Sequence, residues 1–552
     1  MNVIRISGWC MFATLAAIGT TVGLIQLSGA QQASAADQDG VEVLTRGPVH
    51  EAFAETIAFD PQPGIVAPQA PPAAIEEVPP QQRPEGNNLA WIPGYWAWDD
   101  ERNDFLWLSG IWRALPPGRQ WVPGYWDRSQ QGSQWTSGYW ADAAATEILY
   151  LPEPPATVKV GPNGAAPSAD HMWLPGCWIW QQNRYAWRPG YWTQGHQGWD
   201  WVPDHYVWTP SGYIFVDGYY DYSVSRRGVV FAPVYFNSAR RTQRGFAYTP
   251  STVINPGAFL SHLFLRPSYG HYYFGDYYGS NYRSAGFSPW FSFHSSRRGY
   301  DPIYANQRWH HRHDGDWEDR AKANFRNFRD DENSRPPRTW AAQRELEADG
   351  AESNLNRVSV VTSLDELAGS KNRGQRFQPV DDAEQQKFSS RGREYRKFRE
   401  QRQQLEANAA IESAENPAKS VQPARRKLPR SPFVAMPADR LDVNNAAPIH
   451  HESLTTDVQG QPQPRERGGQ RRVRQGDRQG TADALQPTHP QSRLNINSRD
   501  QSEGRGARRA RGASNGPSHG QKANGGQTQN RSNDKSQDAP KSQRSGRSKK
   551  KD

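Results

Sequence analysis

The chain has almost no cysteine. Cys10 and Cys177 are the only two in 552 residues, and Cys10 falls in an N-terminal stretch that reads as an export signal. Its removal would leave Cys177 alone, so no disulfide within the chain could staple the fold. Familiar catalytic signatures are also missing. There is no Gly-x-Ser-x-Gly elbow, phosphate-binding loop or dinucleotide fingerprint, so nothing supports those enzyme classes. Tryptophan is absent after Trp340. Basic charge is scarce between Trp91 and Tyr220, with seven basic against twelve acidic residues, although the net charge is +9. The positive excess lies further on and is densest after Arg465.

The first 35 residues fit a signal peptide. Arg5 supplies the charge, Ile6 to Leu27 is mostly apolar, and Ala33-Ser34-Ala35 fits a small-x-small cleavage site. The alternative is an uncleaved anchor over 6–27, whose length approaches that of a membrane span. Residues 36–89 read as a Pro-rich linker, with Pro61-Gln62-Pro63, Ala70-Pro71-Pro72 and Pro79-Pro80.

Aromatic residues are abundant, and they recur in a pattern. Trp91-Ile92-Pro93-Gly94-Tyr95-Trp96 returns as six-residue units starting at Trp107, Trp121, Trp135, Trp173 and Trp187. It decays into units starting at Trp201, Phe215 and Phe231. The starts are 14 or 16 residues apart, with one gap of 38, and 17 of the 22 tryptophans lie between Trp91 and Trp208. Such a period marks a repeat architecture. Two tryptophans and a tyrosine cannot offset the ordering of a whole unit, so neighbouring units must share aromatic surfaces.

Aromatic side chains favour strands, and the central Pro-Gly forbids a continuous helix. The expected fold is mainly β: an antiparallel meander, one strand per unit of about 14 residues, over 90–237. The arrays are 90–141 and 171–237, and the Pro-rich stretch between them is read as a loop in preference to an interdomain linker. Pro-Gly would form a bulge that bends the strand, or else a tight turn giving two short strands. Burial as a repeat side chain is expected for Cys177.

A Tyr/Gly-rich extension follows over 238–316, containing either a packed loop or a short strand pair near Tyr269–Gly279. A charged helical region is expected over 317–411. Trp317, Ala321, Phe325 and Phe328 have helical spacing, and Ser363-Leu364-Asp365-Glu366 resembles a capping box. Phe388, Tyr395, Phe398 and Leu405 fall on heptad positions of a run read as a solvated helix. The rest, 412–552, is expected to be a disordered basic tail, with Arg471-Arg472, Arg508-Arg509 and Lys549-Lys550-Lys551.

The repeats resemble the YXWGXW, or WXXGXW, repeat proteins exported by bacteria. The resemblance covers roughly 90–240. It implies an exported repeat protein and carries over no catalytic residue. The last three units lose Trp or Gly, as atypical terminal repeats do.

Four groups of residues could carry chemistry. His310-His311-Arg312-His313-Asp314-Gly315-Asp316 gathers metal-ligating types, but without paired spacing or cysteine, and a hydrophilic loop is the preferred reading. Asp99, Asp100, Asp104, Asp200, Asp204 and Asp217 lie among aromatics, as glycosidase acids do, yet mostly in turns, where Asp is common. Exposed rings of Trp96, Trp112, Trp126, Trp140, Trp178 and Trp192 could stack on a ligand, if they are not core. The basic tail suits anionic polymers; export argues against nucleic acid.

The expected function is therefore that of an exported, non-enzymatic envelope protein that contacts envelope polysaccharide or another anionic envelope polymer, with self-association possible. No cofactor or metal is expected, and membrane contact would come only through an uncleaved N-terminal segment. The alternatives are a carbohydrate-binding module and, less favoured, a glycan-active enzyme.

Overall fold

Each WxxGxW unit folds as two short strands flanking its central dipeptide. In the first unit these are Leu89–Ile92 and Tyr95–Asp99; in the second, Asp104–Leu108 and Ile111–Ala114. The inner strands pair with each other and the outer strands pair with each other, all antiparallel. The chain thus reverses between the units and runs on through Pro93-Gly94. Two units make one hairpin with a crease across its middle. The same plan recurs over 119–142, 171–194 and 199–222.

The register runs unbroken across each crease. Ile92 faces Ile111 and Tyr95 faces Leu108, so two residues oppose two between those pairs. The dipeptide is therefore neither a bulge, which would add a residue to one strand, nor a reversing turn. This corrects the one-strand-per-unit meander: the folded unit is a pair of repeats. The pairing also explains the unequal spacing. The first hairpin closes from Asp99 to Asp104 over four residues, whereas the others close over two, as from Gln181 to Arg184. Gln182 and Asn183 both take positive φ (49° and 59°), as a primed two-residue turn requires.

This register sets aromatic against aromatic. The first ring of each unit faces the sixth ring of its partner: Trp91–Trp112, Trp96–Trp107, Trp121–Trp140, Trp126–Trp135, Trp173–Trp192, Trp178–Trp187, Trp201–Tyr220 and Tyr206–Phe215. Their centroids lie 4.7–5.4 Å apart, at tilted or edge-to-face angles. The motif glycine makes room for the first ring of the partner unit. A Cβ on Gly94, Gly110, Gly124, Gly138, Gly176, Gly190 or Gly218 would stand 2.4–2.8 Å from an atom of that indole.

The computed structural model describes residues 39–435, apart from 159–160, 163, 295–297, 349–358, 371–375 and 416–421. The stretch expected to be a signal peptide or anchor and the tail beyond 435 lie outside the described residues. The chain divides between Gln459 and Gly460, so everything described belongs to the first part. That part is rich in antiparallel strands with helices among them.

Several segments expected to be loose are packed. The 36–89 stretch supplies strands such as Val41–Val43 and Glu76–Glu77 and buries Val43, Val49, Phe53 and Ile57. Its prolines suit single extended passes over the sheets, and its apolar residues supply the anchor. The decayed ninth unit extends the first hairpin as a third strand: Val230 faces Ile111 and Val234 faces Trp107. Val66–Ala67 adds a strand to the second hairpin, and Glu147–Leu151 adds one to the fourth.

The Tyr/Gly-rich region contains the strand pair Leu263–Arg266 and His271–Phe274. Trp317–Asp330 is a helix, and the Ser363 side chain caps Leu364–Gly369 through the Glu366 N–H. The helix Asp382–Glu415 is not solvated all round. Tyr395 and Phe398 are buried on it, together with Arg402 and Glu406, which pair at 2.9 Å. Paired charges at i,i+4 can be buried where single ones cannot. The chain also stays ordered past 412. Ala424–Lys427 pairs with Glu147–Leu151, and Phe433 is buried.

Candidate functional site

The crease interrupts the ladder and leaves backbone N–H groups to be satisfied. Buried carboxylates do this. Glu77 accepts from the N–H of Gly94 (2.8 Å) and Gly110 (2.9 Å) and from the Trp107 indole (3.1 Å). Glu51 accepts from Gly138 N–H (2.9 Å) and the Trp135 indole (2.8 Å). In the fourth hairpin Asp204 stands at the motif-glycine position and accepts from Gly218 N–H across the crease (2.6 Å). Glu55 accepts from Trp140 N–H (2.8 Å) and the Tyr219 hydroxyl (3.3 Å).

Burial pushes Glu77 up to about 7, against the lowering pull of the Gly110, Gly94 and Trp107 donors. Burial likewise pushes Glu55 up to about 8. Sequence reasoning missed these acids because they sit in the supposed linker.

The four hairpins differ in exposure. Trp96, Trp112 and Trp140, expected as ligand-stacking rings, are 4%, 0% and 1% exposed and belong to the core. This corrects their assignment: a ring enclosed in protein has no face to offer. Trp126 is half-buried and donates its indole N–H to the Trp96 carbonyl. Trp178 and Trp192 are half-buried on the third hairpin, as are Trp173, Trp180 and Trp187, while Tyr191 is 46% exposed. Trp199, Trp201 and Trp208 of the fourth hairpin are half-buried as well, so the accessible aromatic surface of the repeats lies on the third and fourth hairpins, with Tyr191 its most open ring. Cys177 lies on the third hairpin too, half-buried, with burial pushing its thiol up to about 11.

The third hairpin is also distinct in charge. Residues 171–194 contain Arg184 and Arg188 but no Asp or Glu. A local absence of acids was legible in the sequence and could have singled out this hairpin. Arg188 pairs with Asp204 of the next hairpin.

The remaining candidates are dispersed. Asp100 pairs with Arg266, Asp104 with Arg241 and Asp200 with Arg227; Asp99 lies 3.9 Å from Arg102, and Asp217 is exposed. His311 stacks on Trp317 and Asp314 pairs with Arg320. Among the described residues no cluster of His, Cys, Asp and Glu has the arrangement of a metal site, and no helix is long and apolar enough to cross a membrane.

No family model, curated protein or solved structure matches the chain. A functional reading therefore rests on the hairpins themselves.

Proposed function

We propose that the protein is an exported, non-enzymatic component of the cell envelope whose repeat domain acts as an interaction module. The observation that carries this reading is the contrast between hairpins built alike. The first two bury all their tryptophans but Trp126, the third and fourth leave theirs half-buried, and of these two only the third is an acid-free, arginine-bearing ribbon. Exposed apolar surface of this kind marks contact sites, and the charge suits an anionic envelope polymer. The basic tail adds weak multivalent contacts. The buried acids with raised proton affinity support the non-enzymatic reading, because each is occupied in holding a crease or a strand.

A second reading, stacking of envelope polysaccharide, is favoured by the exposed face of Tyr191 beside Trp192. The test is co-sedimentation of the purified full chain with isolated envelopes. The Trp178→Ala/Trp192→Ala variant should lose at least half of the bound fraction while its circular dichroism stays unchanged. Unchanged binding by a folded variant would reject the third hairpin as the contact surface.

A further inference from the structure

The third hairpin lacks two things that the others possess. Among the described residues no third strand joins it: both of its halves are two-stranded. Among those residues no carboxylate is hydrogen-bonded to its crease glycines either; Asp204 of the next hairpin lines the same pocket as Gly176 but is held by Arg188 and the Gly218 N–H. Yet the crease has the same backbone geometry. A Cβ on Gly176 would lie 2.9 Å from Gly190 N; the corresponding distances are 3.0 Å from Gly94 to Gly110 N and 2.8 Å from Gly138 to Gly124 N. The Trp187 ring covers Gly176 as Trp107 covers Gly94.

The missing carboxylate has a cause in the sequence. The segment that fills the first crease is Pro71-Pro72-Ala73-Ala74-Ile75-Glu76-Glu77-Val78. The Ala73 carbonyl accepts the indole N–H of Trp96 (3.0 Å), and Glu77 follows four residues later. Before the third hairpin runs Pro154-Pro155-Ala156-Thr157-Val158-Lys159-Val160. Here the Ala156 carbonyl accepts the indole N–H of Trp178 (3.1 Å), the counterpart of Trp96. Four residues on stands Val160 in place of glutamate, preceded by Lys159 in place of Glu76. The Pro-Pro-Ala contact recurs, and the sequence that follows it carries no carboxylate.

We infer that the crease of the third hairpin is a receptor for a glutamate carboxylate brought by an acidic, extended segment of another polypeptide. Convergent backbone N–H groups form an anion-binding nest, and hydrogen bonds to a charged acceptor are the strong ones. Gly176 and Gly190 supply the backbone donors and Trp187 the indole donor, as Gly94, Gly110 and Trp107 do for Glu77. The ribbon 171–194 itself carries no acid, and its edges, unpaired among the described residues, can receive an extended chain. The inference rests on the third hairpin being a contact surface and names the chemistry that surface takes.

The probe is the protein's own crease-filling segment, a synthetic peptide of residues 71–78, titrated calorimetrically into the full chain. The expected result is saturable binding that weakens about tenfold or more when the residue corresponding to Glu77 is Gln, as loss of a charge-assisted hydrogen bond implies. Trp187→Phe, which keeps the ring and removes the donor, should weaken binding similarly.

Equal binding of the Glu and Gln peptides, or no binding of either, overturns the inference. Saturable binding of an oligouronate in place of the peptide would also overturn it, assigning the crease to an acidic glycan. Peptide binding that survives while envelope co-sedimentation fails would reject the envelope assignment alone.

Discussion

Glu77 illustrates how much a single side chain does in this fold. It enters from an extended segment, reaches both strands of a hairpin and satisfies two backbone donors and an indole. Burial nevertheless makes its ionisation unfavourable, and the same holds for Glu55. The sign for stability follows. A carboxyl whose folded pKa exceeds its unfolded value holds its proton more tightly in the folded state, so stability falls as pH rises through the interval. For Glu77 that interval runs from 4.5 to about 7, and for Glu55 from 4.5 to about 8. Each contributes a decline of about 1.4 kcal/mol per pH unit within its window. Chemical denaturation at pH 5 and pH 8 should therefore show these two acids lowering stability at pH 8. His50, His205 and His294, lowered by burial to about 3, 4 and 4, work in the opposite direction below pH 6.5. A Glu77→Gln/Glu55→Gln variant that keeps the parent's slope would therefore mean that both acids ionise as readily in the fold as in the open chain.

The helix Asp382–Glu415 shows the limits of reading elements from pattern. Its existence and its apolar positions were legible, because Tyr395 and Phe398 share one face. Its burial was not, because Arg402 and Glu406 look like solvent residues until their partners are known. Arg402 donates to the Pro123 carbonyl (2.7 Å), and Glu406 accepts from the hydroxyls of Tyr125 (2.6 Å) and Tyr150 (3.1 Å). Those partners lie more than 250 positions away along the chain, beyond the reach of any local periodicity. Arg402→Ala should lower the unfolding free energy by about 3–5 kcal/mol, since it strands a buried charge. Adding Glu406→Leu should recover part of that loss, but not all, because two tyrosine hydroxyls lose their acceptor. Equal losses in the single and double variants, read by urea denaturation, would show that the pair itself is not the source.

At the scale of the molecule, the repeats are alike in sequence and unequal in surroundings. The motif announced strands, aromatic pairing and a stacked core. It could not say which hairpins lie inside, because that depends on what covers them: the 36–89 stretch, the ninth unit and the long helix. Three of the six tryptophans expected at a ligand surface were core for that reason. Limited oxidation with N-bromosuccinimide should accordingly modify Trp178, Trp180, Trp187 and Trp192 before Trp91, Trp107, Trp112, Trp121 and Trp140, as read by peptide mass spectrometry. Simultaneous modification of both sets would contradict the difference in burial.

The unbroken register across the crease has a consequence for how such a chain can change length. The first and sixth rings of each unit in a hairpin are matched to rings in the neighbouring repeat, so a solitary copy would leave its tryptophans facing nothing. Duplication or deletion should therefore be tolerated in pairs of units, about 28 residues at a time. An odd copy survives only where another hairpin adopts it, as the first hairpin has adopted the ninth.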